Sequence, residues 1–271
     1  MQSLRVICIA AGAVLAFTAC TQVRPPQSVP EVVPGFLKGY LSQDALPDSK
    51  RLLPPPPGSG DPAFAADEAI YRSTRAYRDS PRWDLATQDA HLGFPGVTGT
   101  FSCAVNAPLT PEAAPRLYQL LRRSATDAGF AMRAAKNHYN RERPFVRYDE
   151  TSCAPSSEPS LRKNGSYPSG HTAIGWTWAL ILAEVAPDGA DAILARGYAF
   201  GQSRVICGVH WQSDVNAGRD VAAGVVARLH ADPVFAEDLA AARKELAALR
   251  AQALPPTRDC AVEAAALAVT R

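Results

Sequence analysis

Gly201-Gln202-Ser203-Arg204-Val205-Ile206-Cys207-Gly208-Val209-His210-Trp211-Gln212-Ser213-Asp214 is the stretch on which the fold class turns. Val205, Ile206, Val209 and Trp211 are β-branched or aromatic, so 204–211 reads equally as a strand or as a continuation of helix. Outside it strand signals are sparse and helix signals recur. Asp61-Pro62 starts a helix through about Asp79, with Phe64, Ile70, Tyr71 and Ala76 on its apolar side, and Ser80-Pro81 ends it. Thr110-Pro111-Glu112 caps a second helix in which Leu117, Leu120 and Leu121 recur at core spacing. Gly129 interrupts it before 130–140, and Pro144 stops that segment. Further helices are expected from Ser169 to about Val185, over 190–200, over 214–229 and over 233–254. The sum is an all-α, single-domain helical bundle.

Length and composition agree with one folded unit. The chain has 271 residues, 47% of them hydrophobic, enough for one sizeable core. Its 28 basic and 26 acidic side chains nearly cancel, so nothing points to nucleic acid as a partner. Arg122-Arg123 reads as a solvated helix face. Residues 1–19 have the form of a secretory signal peptide: Arg5, an apolar run from Val6 to Phe17, then small residues. Phe17-Thr18-Ala19-Cys20 is also similar to a lipoprotein box, so plain cleavage and lipidation of Cys20 both stay open. The lipid would be the only membrane attachment, since no other stretch is long and apolar enough to span a bilayer. Residues 20–60 are a proline-rich arm or tether, 61–254 the catalytic domain, and 255–271 a tail.

In an oxidising compartment Cys103, Cys153, Cys207 and Cys260 form an even set. Cys153 follows Arg143 closely and Cys207 follows Arg204, and both arginines are expected at one anion. The pairing inferred is therefore Cys153 with Cys207 and Cys103 with Cys260, against free buried thiols as the alternative.

Three segments carry the chemistry. Lys136 and Arg143 lie seven apart, on one face if the segment is helical, and supply a point charge and a guanidinium fork for phosphate oxygens. Pro168-Ser169-Gly170-His171 sits at a loop-to-helix entry, where free amides and the positive helix end favour an anion and His171 can donate a proton. His210 and Asp214 are four apart, so a carboxylate can hold one ring nitrogen and leave the other as a nucleophile, with Arg204 completing the clamp. Read singly, each has a duller account: surface cations, an ordinary capped helix, a core or metal-binding histidine. Two arginines and a lysine would repel a metal ion, and no cofactor is expected. His91, His138 and His230 receive no role, and Trp176, Trp178 and Trp211 read as core or pocket wall.

Together these segments resemble the signature of the type 2 phosphatidic acid phosphatase superfamily, and within it the class A bacterial nonspecific acid phosphatases, over roughly residues 36 to 250. The resemblance implies the helical fold shared with vanadium haloperoxidases, a periplasmic address, and metal-independent hydrolysis of many phosphomonoesters, nucleotides included, at acidic pH. By matching positions it makes His210 the nucleophile that becomes phosphohistidine, Asp214 its partner and His171 the acid. Lys136, Arg143, Ser169, Gly170 and Arg204 then bind phosphate. A vanadium-dependent haloperoxidase-like enzyme and a non-enzymatic envelope lipoprotein are the alternatives. A homo-oligomer stays open.

Overall fold

The structure is a computed structural model that describes residues 26–269. The expected signal peptide and the Cys20 lipid site lie outside these residues. A two-stranded antiparallel hairpin, β1 (Glu31–Val33) and β2 (Phe36–Leu37), precedes the helices. Four helices follow: α1 (Ser49–Leu52), α2 (Pro62–Thr74), α3 (Pro81–Asp89) and α4 (Ser102–Val105). The middle of the chain gives α5 (Pro115–Ala131), α6 (Arg133–Tyr139), α7 (Pro144–Arg147) and α8 (Glu158–Leu161). The last five are α9 (Gly170–Val185), α10 (Ala190–Ile206), α11 (Gln212–Leu229), α12 (Pro233–Arg250) and α13 (Cys260–Ala268). The chain is thus a predominantly helical bundle.

α9 is its axis. Ala173, Ile174, Trp178, Ala179, Ile181, Leu182 and Val185 are all buried, on nearly every side of the helix, as expected for a helix surrounded by others. α5, α10, α11 and α12 pack around it. Trp178 fills the centre and donates its indole N–H to Leu121 O at 2.8 Å, so it is core, as are Trp211 and its aromatic neighbours Phe64 and Tyr71. α9 and α11 meet closely at one end because residue 218 is glycine. A Cβ there would lie 2.6 Å from Ser169 O, against the backbone that carries the N-terminus of α9.

Several expectations are corrected. The stretch 204–211 contains no strand: α10 runs on to Ile206, and Gly208, at φ +83°, turns the chain toward His210. Ser80-Pro81 opens a helix as well as closing one. The Ser80 hydroxyl caps α3 by accepting from Trp83 N, with Pro81 in the first helical position. α5 begins at Pro115, while Thr110 caps only the turn before it, and Gly129 lies within the helix. The 255–271 segment carries α13, capped by Asp259, which accepts from Ala261 N and Val262 N.

Arg122 and Arg123 are not a solvated face. Arg122 bonds Glu31 and Gly35 O, while Arg123 stacks 3.6 Å from the Tyr40 ring centre and bonds Asp238. Asp127 adds acceptors for Tyr40 N and Leu41 N, so α5 holds residues 31–41 of the proline-rich arm. Both inferred disulfides are present, Cys103–Cys260 and Cys153–Cys207. The second ties the segment after Arg143 to the turn after Arg204, with Cys153 N donating to Cys207 O at 3.0 Å.

Candidate functional site

The ends of α6, α9, α10 and α11 and the loop before α7 converge on one buried cluster of charge. Lys136 comes from α6, but Arg143 does not share its helix. α6 stops at Tyr139, Asn140 adopts a left-handed φ of 41°, and Arg143 sits in extended backbone just before Pro144. A turn, and not helical spacing, brings the two cations together. Lys136 Nζ donates to Gly165 O at 2.8 Å and Ser166 O at 3.2 Å. Arg143 reaches the same loop, bonding Gly165 O and Asn164 Oδ1 through Nη2 and Leu161 O through Nε. Its Nη1 donates to Val209 O at 2.9 Å and lies 3.2 Å from His210 Nε2.

That last contact bears on the tautomer of His210. A guanidinium can only donate, so in this contact Nε2 is the acceptor and Nδ1 the protonated nitrogen, while the Ser166 carbonyl also accepts from the ring. Nδ1 accordingly faces Asp214 Oδ2 at 3.3 Å. The pair is not on one helix turn as the four-residue spacing suggested. His210 precedes α11, and Asp214, in its first turn, reaches back to accept from Trp211 N at 2.8 Å as well. The carboxylate both caps the helix and orients the imidazole.

Ser169 caps α9, accepting from Thr172 N and Thr172 Oγ1, and its own N–H donates to Asp214 O at 3.0 Å. Gly170 then opens the helix beside Met132, whose Cε would lie 3.0 Å from a Cβ at that position. His171 Nε2 lies 2.9 Å from Ala90 O. A carbonyl only accepts, so this nitrogen is the protonated one and Nδ1 is left for other chemistry.

Arg204 differs from every other charge in the cluster. It is 1% exposed, and neither its Nε nor its Nη1 has a hydrogen-bond partner in the protein. A buried, unsatisfied guanidinium is expensive unless an anion completes it.

The electrostatics follow from burial of like charges. Desolvation, reinforced by Arg143, pulls Lys136 down to about 7. Arg143 is held at about 10 by desolvation, and Arg204 at about 9 by desolvation and Arg143. His210 is pushed well below the usual imidazole range by desolvation and then by Arg143, Lys136 and Arg204. His171 moves the same way, through desolvation and Arg204. The site therefore keeps both imidazoles neutral and strains to keep its cations charged, the state an incoming dianion relieves. Among the described residues no three His, Cys, Asp or Glu side chains are grouped to hold a metal ion.

All eight residues singled out in the sequence thus belong to one region. His91, His138 and His230 are exposed, with His230 against Glu184. Two residues of the region were missed. Arg141 donates to Asp214 Oδ1 at 2.7 Å, and Asp67 on α2 holds Arg141 from behind at 2.9 Å. The available signal was Asp67 itself, a carboxylate on the Phe64, Asp67, Tyr71, Thr74 stripe that α2 buries.

The PAP2 superfamily model matches residues 123–235, which carry every one of the eight. The chain is 49% identical over 212 residues to a non-specific acid phosphatase of Providencia stuartii, covering 78% of this chain and 86% of that one. It belongs to the class A bacterial nonspecific acid phosphatases of the PAP2 superfamily. A non-specific acid phosphatase of Salmonella typhimurium is 45% identical, covering 76% of this chain and 83% of that one. An acid phosphatase of Zymomonas mobilis is 46% identical, covering 77% and 79%. This family membership accounts for the helical bundle, and α2, with Asp67, lies outside the segment the superfamily model spans.

Proposed function

We propose that this enzyme is a metal-independent acid phosphatase that hydrolyses phosphomonoesters through a phosphohistidine at His210. The observation that carries the reading is the placement of His210: Nε2 lies 3.2 Å from Arg143 Nη1, which can only donate, and Nδ1 faces Asp214 Oδ2 at 3.3 Å.

The phosphoryl group enters where Arg204 has unsatisfied N–H groups and where the amides at the start of α9, capped by Ser169, offer positive potential. Arg143 already spends its fork on backbone carbonyls and on His210. The N–H nearest Nε2 is the one that transfers to a phosphate oxygen when substrate binds, which uncovers the nucleophile as it grips the electrophile. The Nε2 lone pair then forms the N–P bond while the P–O ester bond breaks in line. The departing oxygen keeps the bonding pair and takes a proton from His171 Nδ1.

A neutral imidazole cannot donate that proton. The substrate dianion, placed beside His171, raises its proton affinity, so acid solution and bound substrate together charge it. In the second half, His171 takes a proton from water as the water oxygen attacks phosphorus. The N–P bond breaks, its electrons return to Nε2, and inorganic phosphate leaves. Lys136, Arg143 and Arg204 stabilise the equatorial oxygens in both halves.

The roles proposed here fall on the phosphoryl group and the ester oxygen and none on the rest of the alcohol, which supports a broad range of esters, nucleotides among them. The periplasm is the address proposed, on the leader at 1–19 and on two disulfides, which persist in an oxidising compartment. The test is release of phosphate from p-nitrophenyl phosphate in the presence of a chelator, with inhibition by vanadate. Halide oxidation with vanadate and peroxide, without ester hydrolysis, would replace this reading by the haloperoxidase one.

A further inference from the structure

Behind the His210–Asp214 pair lies a buried chain of charge. Asp214 Oδ1 accepts from Arg141 Nη1 at 2.7 Å. Arg141 Nη1 also donates to Ser213 Oγ at 2.7 Å, and Nη2 donates to Asp67 Oδ2 at 2.9 Å. Ser213 in turn gives its backbone N–H to Asp67 Oδ1 at 2.8 Å and its hydroxyl to Asp67 Oδ2. The three charged side chains are almost wholly enclosed, at 4% exposure for Asp67, 8% for Arg141 and 0% for Asp214. The guanidinium packs 5.4 Å from the Trp211 ring centre and 5.6 Å from that of Phe64. At such depth each charge is felt strongly by the next.

We propose that Arg141 and Asp67 are positioning residues that act through Asp214 to set the proton affinity of His210. The inference rests on the reading of His210 as nucleophile. Arg141 draws charge from the Asp214 oxygen that does not face the imidazole. With it in place, the carboxylate orients Nδ1–H without attracting a second proton onto the ring. Asp67 limits that pull by sharing Arg141. The line alternates in sign, so removing its two outer members must have opposite effects.

The other charged and titratable groups facing this line are known. His210 is faced by Lys136 from α6, Arg143 from the loop before α7, His171 from α9 and Arg204 from α10. Tyr167 senses both Arg141 and Asp214. On α2 the neighbouring Glu68 is already engaged, with the Tyr148 hydroxyl and with Arg147. The variants keep every one of these side chains, so all the proteins compared share them and differ only in the line.

The experiment is the pH profile of kcat/KM for p-nitrophenyl phosphate in the wild type, Arg141→Gln, Arg141→Lys and Asp67→Asn, with the phosphorylated residue trapped and mapped in each. The substrate's own titration is common to all four proteins. In Arg141→Gln an uncompensated Asp214 favours the imidazolium, and the acid limb moves up by about one pH unit. In Asp67→Asn, which keeps the shape of the side chain, the whole Arg141 charge falls on Asp214 and the limb moves down. Arg141→Lys keeps the limb near its wild-type position with a lower kcat, because the charge remains and the fork is lost. Limbs that coincide in wild type and Asp67→Asn, or that move the same way in Asp67→Asn and Arg141→Gln, overturn the inference. Asp67→Asn decides the matter even where Arg141→Gln does not fold. Phosphate mapping to a residue other than His210 in the wild type would instead overturn the reading of the nucleophile, which separates the two failures.

Discussion

α10 carries two buried arginines eight residues apart, and they live in opposite circumstances. Arg196, 2% exposed, grips Asp89 through both terminal nitrogens at 2.6 and 3.1 Å and Glu263 through Nε at 3.1 Å. Desolvation alone would lower its proton affinity, but the two carboxylates overcome that and raise it. Arg204, 1% exposed, has no carboxylate in contact and is held down at about 9. The first joins α3, α10 and α13, beside the Cys103–Cys260 disulfide, and is complete within the protein. The second has Nε and Nη1 without a partner in the protein, and on the proposed function the substrate's phosphoryl group completes it. Burial of charge is thus a structural device in one place and stored binding energy in the other, and what separates them is the counter-charge.

The comparison breaks most visibly at Arg196. Arg196→Met leaves Asp89 and Glu263 buried with only Arg258, 3.9 Å from each, as a cation, and a loss of up to about 3–5 kcal/mol is expected in denaturant unfolding. The folded fraction keeps its turnover per molecule. Arg204→Met has the reverse profile: kcat/KM falls by about 10²–10³-fold, as for loss of a group that meets developing charge. Stability in the absence of phosphate holds or rises, because an uncompensated cation has been removed. Should Arg204→Met unfold the protein as Arg196→Met does, the distinction between the two is lost.

Inorganic phosphate sharpens the contrast further. At about one hundred times its Kd it should stabilise the wild type by about 2.7 kcal/mol, seen as a rise in Tm, and Arg204→Met by markedly less. Arg196→Met, measured under conditions where it is folded, should keep the full gain. The smallest effect is in pH. Lys136 is held at about 7 by desolvation, so it is charged below that and neutral above, and inhibition by phosphate should weaken as pH rises through 7. The linkage has a definite sign. The folded value lies below the 10.5 of an unburied lysine, so between about 7 and 10.5 the unfolded chain binds more protons, and this lysine's cost to the fold declines as pH rises. A phosphate inhibition constant that is flat from pH 6 to 9 would remove Lys136 from the clamp.

Residue chemistry made the site legible where helical spacing did not. Lys136 with Arg143, and His210 with Asp214, were paired by a periodicity that neither pair obeys, since Asn140 breaks the first segment and α11 starts after His210. They converge because loops between helices aim them, and only the types of the side chains revealed that. Arg141 and Asp67 stayed hidden because their contact is made through space, between α2 and the loop after α6, 74 residues apart. Ser80-Pro81 was read as a stop because the same dipeptide that ends one helix caps and starts another. Arg122 and Arg123 read as solvated because the arm they bind has little periodicity to announce a docked segment. The core helices were easier, since their apolar stripes are long.

The account rests on one imidazole with its lone pair held ready among cations that make no salt bridge of their own. Rapid quenching of the enzyme with labelled phosphomonoester under alkaline conditions, followed by peptide mapping, tests it most directly. The label is expected on His210 in the wild type and absent from a folded His210→Ala protein. Label on His171 or on a serine, or turnover retained by His210→Ala, would contradict it.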